Sequence, residues 1–355
     1  MLLLLNNDDV QKVFSVQSCL EALEQAYIAQ AKGTAVVRAR SQSYVPLDEP
    51  DVFYCLKTME GALPETGYMA LRLTSDVVSE TKTNGVPRRE KLPRGPGGTY
   101  CGLIVLFSLR ELAPVAIIHD GYIQIFRVAC TSALSARLLA RDDAGDLGLL
   151  GSSGQAWAHL VAMDAVRKLR RVNVFSPNPE RREIFAERAR RELGIAVRAV
   201  ASAREAVEGS DLVVAATNSS EPVVEGRWLA PGAHVVSIVS GDEKTQRREL
   251  DDETLRRAAV VVAHSKQVAR SQKQGDLWEP VAAGILNWER IYDFSELVAG
   301  KAPRRASRED ITVFKNNVGL GLQFAAVAPR VYERARRAGI GRELPSEWFL
   351  ESMKP

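Results

Sequence analysis

Leu147-Gly148-Leu149-Leu150-Gly151-Ser152-Ser153-Gly154-Gln155-Ala156 is the stretch whose reading decides the fold. Apolar residues without polar alternation form a strand covered on both faces, and an amphipathic helix is expected from about Gln155 to Arg170. The turn between them is built of small residues. A helix N-terminus that binds a pyrophosphate needs them, because its backbone N–H groups must approach the anion closely and its dipole favours negative charge. Against the dinucleotide fingerprint G-x-G-x-x-G, Ser153 holds the second glycine's place and Ala156 the third's, while Gly154 adds freedom between them. An ordinary strand–helix turn can carry similar letters. The strand before, the helix after and the repeat of that unit downstream favour the dinucleotide reading, with Gly151, Ser152, Ser153, Gly154 and Gln155 around the phosphates.

Outward from this stretch the alternation continues. Val172 to Phe175 is the next strand, followed by a charged helix from about Pro179 to Leu193. Ala196 to Val200, Asp211 to Ala216, Val235 to Val239 and Val260 to Ala263 supply further strands, with helical pieces at Ala203 to Val207 and Asp252 to Arg257. Buried strands separated by helices mean an α/β fold, a Rossmann-type doubly wound parallel sheet. The N-terminal portion reads differently. A short apolar strand in the opening Met1 to Leu5 precedes a helix N-cap, an amphipathic helix covers Val16 to Ala31, and mixed strands follow at Ser43 to Val45, Met69 to Leu73 and Cys101 to Phe107. That is an α+β domain, onto which the apolar stretch Gly319 to Ala338 is expected to pack. The boundaries read as 129–318 for the dinucleotide domain, and 1–128 with 319–355 for a second domain that binds substrate.

Length and charge fit this picture. The chain has 355 residues and a formal net charge of +3, enough for two domains with cores of their own. Basic clusters such as Arg188-Ala189-Arg190-Arg191 lie on helical patterns as solvated faces, so no nucleic-acid or membrane partner is expected. The opening leucines are stopped by Asn6-Asn7-Asp8-Asp9, far short of a membrane span, and a cytoplasmic protein is expected. Cys19, Cys55, Cys101 and Cys130 form no closely spaced pair and read as buried free thiols. The four histidines have no metal-ligand spacing, and His159, on the helix after the phosphate turn, reads as structural.

The second strand of the Rossmann domain ends in Phe175-Ser176-Pro177-Asn178, where an NAD enzyme usually places an acid for the ribose hydroxyls. Here Ser176, Asn178 and the nearby Arg181 offer hydroxyl, amide and guanidinium donors to a 2′-phosphate, which favours NADP(H) over NAD(H). Asn178 can equally be the cap of its helix.

Several segments occur in a characteristic order: His119-Asp120-Gly121, Arg127 to Ala133, Gly151 to Ala156, Glu208 to Ser219, Pro231 to Val236, Arg248-Glu249-Leu250-Asp251 and Ile311 to Gly319. Together they resemble the ornithine cyclodeaminase/mu-crystallin family over nearly the whole chain. The resemblance implies a homodimer and a nicotinamide cofactor acting on a small amino acid or its imine, by hydride transfer at a C–N carbon beside a carboxylate. It also admits cyclodeamination with internal hydride return, or non-enzymatic NADPH-dependent binding of a small molecule.

The resemblance further implies that Arg127 holds the substrate carboxylate, a task that suits the forked guanidinium donors. Arg40 matches an earlier family arginine, with Arg38 as its competitor, and Arg72 stands where other members have lysine. A guanidinium anchors a carboxylate but is a poor proton donor. Asp242 is the expected proton-transfer residue, with Glu243 its nearest substitute, and Lys91 is a further candidate at the substrate mouth, otherwise a solvated loop residue. Thr217, Asn218 and Ser240 are expected beside the cofactor.

Overall fold

The computed structural model describes residues 1–83, 86–241, 246–316 and 319–352, with the side chains of 81–83 and 86–88 left aside. The chain forms two compact units, Met1–Arg127 with Gly319–Pro355, and Val128–Val318.

The first unit opens with β1 (Leu2–Leu5), α1 (Asn7–Val13) and α2 (Val16–Lys32). Asn6 caps α1 reciprocally: its side chain accepts from the Asp9 N–H, and Asp9 accepts from the Asn6 N–H. Then come β2 (Val36–Val37), β3 (Ser41–Pro46), β4 (Val52–Leu63), β5 (Tyr68–Thr83), β6 (Val86–Leu92), β7 (Cys101–Ser108) and β8 (Ala113–His119). Helix α3 (Gly121–Leu139) carries the chain into the second unit.

The second unit contains β9 (Asp146–Leu150), α4 (Gly154–Val166), β10 (Arg171–Phe175), α5 (Pro179–Leu193), β11 (Val197–Ala199), α6 (Ala203–Val207), β12 (Leu212–Ala215) and β13 (His234–Ser237). It continues with α7 (Asp252–Arg257), β14 (Ala258–Ala263), α8 (Lys266–Ser271), α9 (Gly275–Ala282), β15 (Ile291–Asp293), α10 (Phe294–Val298) and β16 (Ile311–Lys315). The chain then returns to the first unit through α11 (Leu322–Ala338) and β17 (Arg342–Leu344).

In the second unit the described strands form one sheet in the order β11-β10-β9-β12-β13-β16-β14-β15, paired in parallel throughout. The strand order reverses between β9 and β12, which opens a crevice at their C-terminal ends where α/β sheets bind ligands. The first unit is built on a mixed sheet, β17-β1-β8-β7-β5-β4-β2, with β3 on β4 and β6 on β5. α11 lies on β4, β5 and β7. Gly61 and Gly321 make its start possible: a Cβ on Gly61 would meet the Leu322 nitrogen at 2.5 Å, and one on Gly321 the Glu60 carbonyl oxygen at 2.1 Å.

Several expectations need correction. The strand expected at Met69 to Leu73 is the longer β5, and Lys91 lies on strand β6 rather than in a loop. Together these strands make a hairpin whose polar alternation hid it from a search for apolar runs. Cys101 is exposed, unlike the other three cysteines, because it is the first residue of β7 and pairs with Ser75, on the sheet face away from Arg72. The helix expected to reach Arg170 ends at Val166, where Arg167 turns extended. No helix among the described residues is long and apolar enough to cross a membrane.

Candidate active site

The first unit gathers charge on one face of its sheet. In β5, Arg72, Thr74 and Asp76 point to the same side because strand side chains alternate. Cross-strand register places Met59, Lys57 and Cys55 of β4 opposite them, and Lys91 of β6 opposite Val78. Arg72 is 6% exposed. Its Nε and Nη2 both donate to Asp120 Oδ2, at 2.7 Å each. Asp120 precedes α3 and fits because Gly102 of β7 has no side chain; a Cβ there would lie 2.1 Å from Asp120 Oδ1.

Arg127 is buried on the first turns of α3. Its Nη1 donates to Gln323 Oε1 at 2.6 Å, and Gln323 Nε2 donates back to the Arg127 carbonyl at 3.3 Å. The guanidinium lies 5.2 Å from the Phe324 ring centroid, and that of Arg72 lies 5.1 Å from the same ring. Burial, then the Arg72 cation, presses the Arg127 pKa well below the usual guanidinium range. Arginine does not release its proton at physiological pH, so Arg127 stays a buried cation. Arg40 is half-buried beside Gly319, whose φ is +79°. Arg38 points outward and pairs with Glu60 at 3.7 Å. The structure therefore brings Arg40, Arg72 and Arg127 into one electrostatic neighbourhood, while Arg38 stays outside it. Lys91 joins Asp76 at 2.8 Å.

In the second unit the turn after β9 brings backbone close to backbone at the start of α4. Gly151 has φ +121°, and a Cβ there would lie 2.3 Å from the Ala216 carbonyl oxygen. Ser153 is the N-cap of α4 without using its side chain for the helix. A Cβ on Gly154 would meet nothing within 4 Å, so the helix N-terminus opens onto space. Gln155 Oε1 and, three residues past the end of β13, Ser240 Oγ are buried without a protein hydrogen-bond partner among the described residues. Both are suited to a bound polar ligand. Ser152 Oγ donates to Ser176 Oγ at 3.0 Å, tying the phosphate turn to the end of β10. Asn178 spends its carboxamide oxygen on the Arg181 N–H at 2.9 Å, as the cap of α5. The Arg181 residue is exposed, whereas Arg182 lies over Phe175 and donates to the Ser176 carbonyl.

Thr217 and Asn218 follow β12, with Asn218 exposed and Thr217 pinned from below. Glu249, fully buried, accepts from the Thr217 N–H and hydroxyl at 2.7 and 2.8 Å through Oε1. Through Oε2 it accepts from Ser237 Oγ and the N–H groups of Ile238 and Val239, each at 2.8 Å. Lys315 Nζ, also fully buried, pairs with Asp276 Oδ2 at 2.9 Å and donates to Ser237 Oγ and the Val239 carbonyl. Burial raises the Glu249 pKa, but donors face both of its oxygens. Gln274 then clamps Gly241, donating to its carbonyl at 2.7 Å and accepting from its N–H at 3.0 Å. These residues fix the strand ends that border the crevice. Asp242 and Glu243 themselves lie outside the described residues.

The profile of the ornithine cyclodeaminase/mu-crystallin family matches residues 3–339. This chain belongs to that family. A Δ1-pyrroline-2-carboxylate reductase of Bacillus cereus is 30% identical over 260 residues, covering 73% of this chain and 78% of its own. The solved Δ1-pyrroline-2-carboxylate reductase of Thermococcus litoralis, in complex with NADH and L-proline, is 30% identical with a TM-score of 0.82. That likeness covers 97% of this chain and 100% of the other. An archaeal alanine dehydrogenase dimer with bound NAD is 26% identical, with a TM-score of 0.81 over 97% and 99% of the two chains. Like these relatives, the family member described here works with a nicotinamide cofactor.

Sequence reasoning missed Asp120, Gln323 and Phe324 around the arginines, Lys57 and Asp76 on the same sheet face, and the Glu249–Asp276–Lys315 cluster with Gln274. A faint signal existed for Lys315 and Asp276, since a charged residue inside or beside an apolar run is buried only when paired. His159 is a core residue whose ring bridges Ser132 Oγ and the Gln155 carbonyl, and burial pushes its pKa down to about 4. Among the described residues no group of His, Cys, Asp and Glu is placed to hold a metal ion.

Proposed function

We propose that this protein reduces the C=N bond of a small imine beside a carboxylate, or oxidises the corresponding amino acid, with NADP(H) preferred over NAD(H). The observation that carries the reading is the buried Arg127 guanidinium, which bonds to Gln323 and shares the Phe324 ring with the buried guanidinium of Arg72. Such a cation is complementary to a carboxylate arriving from outside. Residues 1–128 with 319–355 bind the substrate, and residues 129–318 bind the cofactor through Gly151, Ser152, Ser153, Gly154, Gln155, Ser176, Thr217, Asn218 and Ser240. When bound, the nicotinamide supplies or accepts the hydride.

The chain's own residues do the rest. Arg127 and Arg40 hold the carboxylate and fix the orientation of the C–N carbon, which removes much of the entropic barrier. Arg72, locked to Asp120, contributes charge and position rather than a proton. Asp242 exchanges the proton on nitrogen, with Glu243 its alternative. Glu249 and Gln274 hold the loops around Thr217 and Gly241 still. The absence of an acid at the end of β10, with Ser176 and the exposed Arg181 there instead, supports the NADP(H) preference. A homodimer is part of the proposal, supported by half-exposed Leu56, Leu71, Leu73, Val77, Val105 and Ile117 on the sheet face away from Arg72.

The test follows nicotinamide absorbance with Δ1-pyrroline-2-carboxylate, with pyruvate plus ammonia, and with L-proline, L-alanine and L-ornithine. Oxidation of NADPH by an imine is the expected result. Conversion of ornithine to proline without net cofactor change makes the protein a cyclodeaminase. Cofactor and ligand binding without turnover of any of these compounds overturns the enzymatic reading.

A further inference from the structure

Beyond the arginines, the same sheet face carries a second cationic node. Asp76 Oδ2 meets two ammonium groups, Lys91 at 2.8 Å and Lys57 at 3.5 Å. One carboxylate cannot neutralise both. The Lys57 side chain is only 13% exposed, so water compensates little of the remaining charge. Burial, then Lys91 and also Arg40, push the Lys57 pKa down to about 8 against the pull of Asp76 and Cys55. A cation in such surroundings is relieved by an additional anion.

Register fixes where this node sits relative to Arg72, which shares the Phe324 ring with the anchoring Arg127. Arg72 lies opposite Met59, and Lys57 lies opposite Thr74, the next same-face residue of β5. Same-face neighbours on a strand are about 7 Å apart, so Lys57 stands one such step from Arg72 along the sheet, and Asp76, to which Lys91 reaches back from opposite Val78, stands two. Two carboxylates joined by a short carbon chain match that spacing. We propose that the substrate carries a second carboxylate, which Lys57 and Lys91 receive. The substrate class is then the imine of a short 2-oxo diacid, or the matching acidic amino acid. This rests on the imine-reductase reading above and narrows it. If the lysines served only to staple β4, β5 and β6 together, their loss would affect stability without changing ligand preference.

The protein, saturated with NAD+ or NADP+, whichever binds tighter, is titrated calorimetrically with two isosteric pairs: L-glutamate against L-glutamine, and L-aspartate against L-asparagine. In at least one pair the acid is expected to bind about tenfold to a hundredfold tighter than the amide, the size of a charged hydrogen bond. Lys57→Gln is expected to weaken that acid about tenfold more than its amide. Lys91→Gln, at a half-exposed lysine, gives a smaller loss of the same preference and carries the test if K57Q does not fold. Amides that bind as tightly as the acids, no binding of either acid, or equal weakening of acid and amide in both variants overturns the proposal. The broader reading fails differently. An acid preference that depends on Lys57, with no imine of any kind oxidising NAD(P)H, keeps the second-carboxylate site and rejects the reductase.

Discussion

Replacing Arg127 with methionine separates substrate anchoring from folding. Methionine keeps an unbranched stem against Phe324 and removes the guanidinium. On the stability side, the variant loses the hydrogen bond from Arg127 to the buried Gln323, a cost of about 1–3 kcal/mol. Loss of a cation that burial and Arg72 already oppose offsets part of this. The net change is about 2 kcal/mol or less, which for domains of this size lowers the melting temperature by no more than about 4–8 °C. On the functional side, removing the partner of a desolvated carboxylate costs about 2–5 kcal/mol, or roughly 30- to several-thousand-fold in kcat/KM. Most of that appears in KM if the contact is equal in ground and transition states. The assays are NAD(P)H oxidation with Δ1-pyrroline-2-carboxylate, a fluorescence titration of the cofactor, and a thermal melt. Cofactor affinity should be nearly unchanged. If R127M keeps kcat/KM within about threefold of the parent while folded, the anchoring role is wrong. A collapse in R40A or R72A instead would identify another arginine as the anchor.

Fluorescence titration should show NADPH binding more tightly than NADH, and Arg181→Ala should weaken NADPH alone, by about 1–3 kcal/mol; equal affinities in the parent protein reject the 2′-phosphate assignment. Gly151→Ala forces a side chain at φ +121° to within 2.3 Å of the Ala216 carbonyl oxygen, so urea unfolding should reveal a loss of at least about 1–3 kcal/mol. Cofactor affinity should fall with it, and a variant with normal stability and affinity would show that the turn tolerates a Cβ. Asp242→Asn should lower kcat by ~10²–10⁴-fold with cofactor binding intact. If kcat holds there and drops in Glu243→Gln, the proton passes through the neighbour.

The sequence by itself determined the parallel α/β half of the molecule, because that architecture is written locally. Leu147 to Leu150 must be buried on both faces, and the small residues from Gly151 to Gly154 suit a close approach at a helix start. Asn6 and Asp9 announce the first helix in the same local way, and the apolar spacing from Gly319 announces the last. The residues proposed for the cofactor could be named from the chain because they follow strand ends in order. The surroundings of the arginines proposed for the substrate could not. Asp120 lies under Arg72 only because Gly102 leaves room, and nothing near Gly102 in the chain says so. Lys57, Asp76 and Lys91 meet through the register of three antiparallel strands, where a slip of one residue would turn each side chain to the opposite face. Glu249, Asp276 and Lys315 come from separate segments and are affordable as buried charges only in one another's company. Local pattern fixes which elements form, whereas long-range pairing decides which charges share a low-dielectric site, and this chain's substrate chemistry depends on that pairing.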